Sequence, residues 1–161
     1  MILNLMTMNN SIKDRALKIL GSRNMSASDM EKRLIEKGES PENAAETVRW
    51  LIDIGAIDDE NYAQQIVSHY CAKGYGIYRI KDELYRRGIP RDMWDEALEK
   101  IQDSDESALK FLDKKLKGSS DKTEIRRAMD ALCRRGFSRD DAQRFIRQYI
   151  ESIDETEDAH L

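Results

Sequence analysis

Apolar residues return along this chain at helical spacing. Ile77, Ile80 and Leu84 stand at i, i+3 and i+7, which places them on one stripe of an α-helix. Gly74 and Gly76 break the chain ahead of that stripe. Gly88 ends it where a left-handed residue is wanted, and Pro90 prevents continuation. The ending then recurs: Leu34-Ile-Glu-Lys-Gly38, Leu84-Tyr-Arg-Arg-Gly88 and Leu132-Cys-Arg-Arg-Gly136 stand 50 and 48 residues apart. Apolar residues also keep step after each glycine, six places on at Ala44, Trp94 and Ala142, and ten places on at Val48, Leu98 and Ile146. A repeat of this period predicts tandem supersecondary units.

Each unit reads as three helices. In the first, Ile12, Ala16, Ile19 and Leu20 form one stripe; Met30, Leu34 and Ile35 form a second, opened by a capping box of Ser28 with Glu31. Ser40-Pro41 opens a third helix with Ala44, Val48, Leu51 and Ile52 on its face, since serine accepts free N–H groups and proline has none to waste. The second unit starts at Asp58-Asp59-Glu60, acids suited to a helix N-terminus, followed by Tyr62, Ala63, Ile66, Val67 and Tyr70. Its third helix opens at Pro90 and carries Met93, Trp94, Ala97, Leu98 and Ile101. The third unit starts near Ser104 with Ala108, Leu109, Leu112 and Leu116; Ile125, Ala128, Met129 and Leu132 line its next helix. Ser138 caps the last, bearing Ala142, Phe145, Ile146 and Tyr149.

The predicted fold is therefore all-α: three tandem three-helix repeats, helix-turn-helix-like, in an elongated and curved array. The expected boundaries are a flexible N-terminal tail at 1–10, repeats at 11–56, 57–102 and 103–152, and a frayed acidic tail at 153–161. A unit this small buries too little surface to be very stable alone, so stacking against neighbours is expected.

Composition narrows the function classes. With 36% charged residues, two prolines and no apolar run near bilayer length, a soluble helical protein is expected. The apolar opening, Met1-Ile-Leu-Asn-Leu-Met-Thr-Met8, lacks the basic start and cleavage site of a secretory leader, and Met6 or Met8 could serve as the true start. Cys71 and Cys133 stand alone inside helical patterns, as buried or half-buried free thiols of a reducing cytoplasm would.

The net charge of −4 argues against a general nucleic-acid binder, but its distribution is uneven. Between Lys110 and Arg147 there are 12 Lys/Arg against 6 Asp/Glu, and between Lys73 and Arg91 there are 6 against 2. Arg79 and Arg86 precede Gly88 by nine and two residues, and Arg127 and Arg134 precede Gly136 by the same offsets. Residues seven apart nearly eclipse on a helix, so each pair is expected to project opposite its apolar stripe. The first unit holds Asp29 and Glu36 at those offsets instead, and Arg144 and Arg147 form a similar outward pair on the last helix. Solvated outer faces explain such charges one at a time; their recurrence points to phosphates or an acidic protein groove as partner.

No catalytic constellation emerges, and no metal or cofactor is expected. His69 and Cys71 are two residues apart and so point to different sides of a helix. Gly74-Tyr-Gly76 lacks the strand and further glycines of a phosphate loop, and reads as a turn. Tyr75, Tyr78 and Tyr85 lie near the arginines, where packing between units is favoured over base stacking.

Several stretches together resemble the RecX family of bacterial recombination regulators. They are Ser26-Ala-Ser-Asp-Met-Glu-Lys-Arg-Leu34 with Lys37-Gly38, then Leu51-Ile-Asp-Ile-Gly-Ala-Ile-Asp-Asp-Glu-Asn-Tyr-Ala63, Lys73-Gly-Tyr-Gly76 and Arg79-Ile-Lys-Asp-Glu-Leu-Tyr-Arg-Arg-Gly-Ile89. The third unit fits in layout more than in wording. The resemblance implies a cytoplasmic, non-enzymatic modulator of RecA that binds the groove of the RecA filament on single-stranded DNA. It also implies restraint of ATPase, strand exchange and SOS co-protease activity. Arg79, Lys81, Arg86 and Arg87 stand in the family's basic helix, and Arg126, Arg127, Arg134, Arg135, Arg144 and Arg147 extend the candidate contacts into the third unit. The chain departs from many basic relatives in its acidic total, and Ser68, His69 and Tyr70 stand where arginines often do. Both favour the protein filament as main partner, with direct nucleic-acid contact secondary and the chain a monomer. The competing readings are a tandem helix-turn-helix-like DNA-binding module and a helical scaffold for another protein.

Overall fold

A computed structural model describes residues 2–99, 101 and 104–160. The described residues form nine α-helices and one short 3-10 turn, with no strand. In order the helices are α1 (Ile2–Ser22), α2 (Ala27–Glu36), α3 (Pro41–Asp53), α4 (Asp59–Ala72), α5 (Ile77–Arg86), α6 (Trp94–Glu99), α7 (Ser104–Leu116), α8 (Lys122–Arg134) and α9 (Arg139–Asp158). No described helix is long and apolar enough to cross a membrane. The repeat boundary expected at 102–103 and the candidate start at Met1 lie outside the described residues.

The caps show why the helices begin where they do. Ser40 Oγ accepts from Asn43 N at 3.2 Å with Pro41 in the first turn, and Ser138 Oγ accepts from Asp141 N at 3.0 Å. Helix α2 departs from the expected capping box. Its cap is Ser26, whose Oγ accepts from Asp29 N at 3.1 Å, while Asp59 Oδ1 accepts from Ala27 N at 3.0 Å. A carboxylate from the start of α4 thus satisfies a free donor of α2, a long-range partner that local pattern cannot reveal.

Both expected tails fall in helices. Helix α1 starts at Ile2, and α9 runs to Asp158. Propagation adds a hydrogen bond for each residue ordered, and neither segment contains a proline or glycine to stop it. On α9, Ser152 Oγ and Thr156 Oγ1 donate to the carbonyls of Tyr149 and Ser152, at 2.7 and 2.8 Å.

The chain divides into two compact units. One takes residues up to Gln64 together with Leu84–Asp95; the other takes Gln65–Glu83 and the residues from Glu96 on. In the first, α1 and α2 pack on α3 around Ile12, Ala16, Met30, Leu34, Val48 and Leu51, with Met25 and Ile57 closing the core. In the second, α7, α8 and α9 pack mutually around Leu112, Leu116, Leu132, Phe145, Ile146 and Tyr149. Nearly every buried residue falls on a stripe read from the sequence. The departures are Ile35, Ile52 and Ile77, which are exposed, and the buried residues off the stripes: Cys71 and Ala131 in helices, and Met25, Ile57, Ile89 and Phe137 in turns. The opening at Pro90 is a 3-10 turn over Arg91–Met93, so α6 starts at Trp94, whose indole N–H donates to Ile89 O at 2.9 Å. Cys71 is buried as expected; Cys133 is exposed rather than half-buried.

Two closing glycines dock on helix N-termini. In the second unit, Gly76 N donates to Arg135 O at 2.9 Å and Tyr78 N to Gly136 O at 3.0 Å. The turn between α8 and α9 thereby satisfies two free donors at the start of α5. The approach admits no side chain: a Cβ on Gly76 would stand 2.5 Å from the Gly136 carbonyl, and one on Gly136 would stand 2.4 Å from Arg79 N. Gly136 is also left-handed, at φ +96°. In the first unit, Gly88 lies against the start of α2, where its Cβ would meet Ser26 Oγ at 2.9 Å. Gly38, with the same local sequence role, has nothing within 4 Å of that position.

Candidate basic interface

Helix α8 presents the clearest basic face. Its apolar side, Ala128, Ala131 and Leu132, is buried in the core of its unit. That orientation drives Arg126, Arg127 and Arg134 outward, and all three are exposed. Among the described residues none of them makes an ion pair or a hydrogen bond. Asp121 caps α8 by accepting from Thr123 N and Glu124 N, both at 3.0 Å, so the acid at its start is engaged with backbone. Arg147 on α9 is likewise exposed.

The remaining candidates divide by their neighbours. Arg79 is half-buried: its Nη2 lies 2.8 Å from Glu83 Oε1, and its guanidinium sits 5.7 Å from the centre of the Tyr75 ring. Glu83 is itself 6% exposed, so this pair fixes a buried carboxylate. Arg79, expected to project outward, is half-buried and held on Glu83, with the Gly136 turn packed on its backbone.

Arg135 is also structural. Its Nη1 donates to Lys73 O at 3.0 Å, and its guanidinium lies 4.4 Å from the Phe111 ring centre and 5.1 Å from that of Tyr75. A planar, weakly hydrated cation suits such a double stack. Arg87 has a comparable place in the first unit, donating from Nη1 to Tyr62 Oη at 3.0 Å. Arg144 bonds Asp105 at 2.8 Å and Asp141 at 3.2 Å and covers the Phe145 ring; those two carboxylates hold its proton even more firmly than usual. Lys81 is half-buried and Arg86 exposed.

The structure therefore leaves Arg126, Arg127 and Arg134 exposed on the outer side of α8, and ties Arg79, Arg87, Arg135 and Arg144 to neighbouring groups. Tyr75 packs, as expected, against arginines and against Tyr70. Tyr78 and Tyr85 do not; they are 60% and 75% exposed. The one sequence feature that accompanies the Arg135 contact is the pair Gly76 and Gly136, glycines where two backbones meet. No group of three or more His, Cys, Asp or Glu among the described residues could hold a metal ion.

Comparison with known proteins fits this arrangement. Residues 58–98 match the family model for the second three-helix domain of RecX, and residues 103–146 match the model for the third. The regulatory protein RecX of Trichlorobacter lovleyi is 31% identical over 84% of this chain and 91% of its own length. That of Xanthomonas axonopodis pv. citri is 32% identical over 76% of this chain and 78% of its own. The crystal structure of RecX from Lactobacillus salivarius superposes with a TM-score of 0.75 at 23% identity, covering 91% of this chain and 96% of that one, a likeness of fold. The all-helical architecture, the matched three-helix domains and these relatives together show that the chain belongs to the RecX family of regulatory proteins.

Proposed function

We propose that this chain binds the RecA filament on single-stranded DNA and lowers its ATPase, strand-exchange and co-protease activity, without chemistry of its own. The observation that supports this most is the exposed Arg126, Arg127 and Arg134 face of α8. Guanidinium groups bind carboxylate and phosphate bidentately, so such a face suits a surface where acidic side chains and DNA phosphates lie close together. Arg147, Arg86 and Lys81 extend the contact. A regulator of this kind works by binding alone: it stabilises one state of the filament relative to another by its difference in affinity for the two.

The chain's net charge of −4 argues for the protein filament over bare DNA. Co-sedimentation with RecA filaments assembled on single-stranded DNA tests the reading. Saturable binding to filaments, with weak and salt-sensitive binding to naked DNA, is the expected result. Equal affinity for filament and naked DNA would favour the DNA-binding module instead.

A further inference from the structure

A second surface carries the opposite charge. At the end of α3 and the start of α4, within one compact unit, Ile52, Ile57 and Met93 floor a hollow of about 290 Å³ rimmed by Asp58, Asp59 and Glu60. Its walls are mainly apolar, and Ile52 is 48% exposed. A single exposed isoleucine is ordinary; one lining an apolar hollow at the lower size limit of binding sites is not. The segment from Trp50 to Tyr62 contains Asp53, Asp58, Asp59 and Glu60 and no lysine, arginine or histidine. Its negative charge is therefore not balanced from within.

The chemistry of the rim selects the occupant. Asp58 Oδ1 already accepts from Asn61 N and Asp59 Oδ1 from Ala27 N, each at 3.0 Å, and these acids form no metal-binding group. Four carboxylates on one short segment repel nucleic acid. An ammonium or guanidinium at the rim, with an aliphatic side chain in the hollow, complements both features. Burial, chiefly, and then the charges of Asp58 and Asp29 raise the Asp59 carboxyl above its ordinary value.

We infer that this hollow docks a basic chain segment of a RecA subunit, one aliphatic side chain seated on Ile52, Ile57 and Met93 and a lysine or arginine against Glu60 and Asp58. The inference rests on the filament reading above and adds a protein contact, separate from the basic face of α8. The contact is one of opposite charge at short range, so it favours recognition and register over raw affinity.

The test uses the full chain and RecA filaments on single-stranded DNA. The double variant Ile52→Ser with Glu60→Gln should keep its helical circular dichroism, because both side chains are exposed and no cation is placed at the start of α4, and should bind filaments at least about tenfold more weakly. Carbodiimide coupling of the wild-type complex, read by mass spectrometry, should join Glu60 or Asp58 to a lysine in a basic stretch of RecA bearing aliphatic residues. Full binding by the double variant would overturn the hollow as a docking site while leaving the filament reading intact. Coupling of these acids only to residues of this chain would do the same. Failure of the wild type to bind filaments would overturn both.

Discussion

Helices α5 and α8 close in nearly the same words, Leu84-Tyr-Arg-Arg-Gly88 and Leu132-Cys-Arg-Arg-Gly136, yet their arginines do different work. Nine residues before the glycine, Arg79 is half-buried on Glu83 and Tyr75, whereas Arg127 is exposed and without an ion pair among the described residues. One residue before the glycine the two helices agree: Arg87 donates to Tyr62 and Arg135 to Lys73 O. Two residues before it they also agree, with Arg86 and Arg134 both exposed. Equal position in a repeat therefore does not mean equal role. What decides is whether another element packs over the site, as the Gly136 turn does over the start of α5.

Charge reversal separates the two sets of arginines with the largest effect. Changing Arg126, Arg127 and Arg134 to Glu should weaken filament binding by about 100-fold or more, roughly 3 kcal/mol, with an unchanged melting temperature. Reversing Arg79 alone should do the contrary, lowering stability more than it lowers binding to filaments. Co-sedimentation beside thermal melts of both variants distinguishes the two roles.

A pair of glycine variants sharpens the structural half. Gly136→Ala meets backbone at 2.4 Å in a left-handed conformation, and should cost about 3 kcal/mol or more. Gly38→Ala is equally left-handed but open around its Cβ position, and should cost only about 1 kcal/mol. Urea denaturation measures both; equal losses would contradict the docking described for Gly136.

Arg135→Ala should cost about 2 kcal/mol, combining a lost hydrogen bond with two lost ring contacts. Arg134→Ala, one residue away and exposed, should leave stability within about 0.5 kcal/mol of wild type. Reversed ranks in chemical denaturation would sink the assignment of Arg135 to packing.

The smallest effect concerns Asp59. Its folded carboxyl titrates above the ordinary value, chiefly through burial, so the folded state holds its proton more tightly than the unfolded chain does. Stability from this group is then present at low pH and is lost as pH rises from the unfolded value through the raised folded one. Asp59→Asn, which can still accept from Ala27 N, should match or exceed wild-type stability at pH 7 and lose that advantage in acid. Asp59→Ala removes the acceptor as well and should cost about 1 kcal/mol in the same denaturation assay.

The helical stripes were legible because core positions such as Leu34, Leu84 and Leu132 recur at fixed distance from their closing glycines, and burial follows that spacing. The candidate interface was legible only in part. Arg127 and Arg134 could be found from charge and helical period alone. The roles of Arg79 and Arg135 could not, since Glu83, Tyr75, Phe111 and the Lys73 carbonyl reach them through tertiary packing. The same limit hid Asp59 as the partner of Ala27, and the helical course of α1 and α9, where nothing local distinguishes a tail from a continuing helix.

Whether the exposed face of α8 restrains a RecA filament, as proposed, is decided by one titration. RecA ATPase on single-stranded DNA would be followed with increasing wild-type protein, and in parallel with the Arg126, Arg127 and Arg134 to Glu variant. A dose-dependent fall is expected with the wild type, below one protein per RecA subunit, and none with the folded variant. An equal fall with both would contradict it.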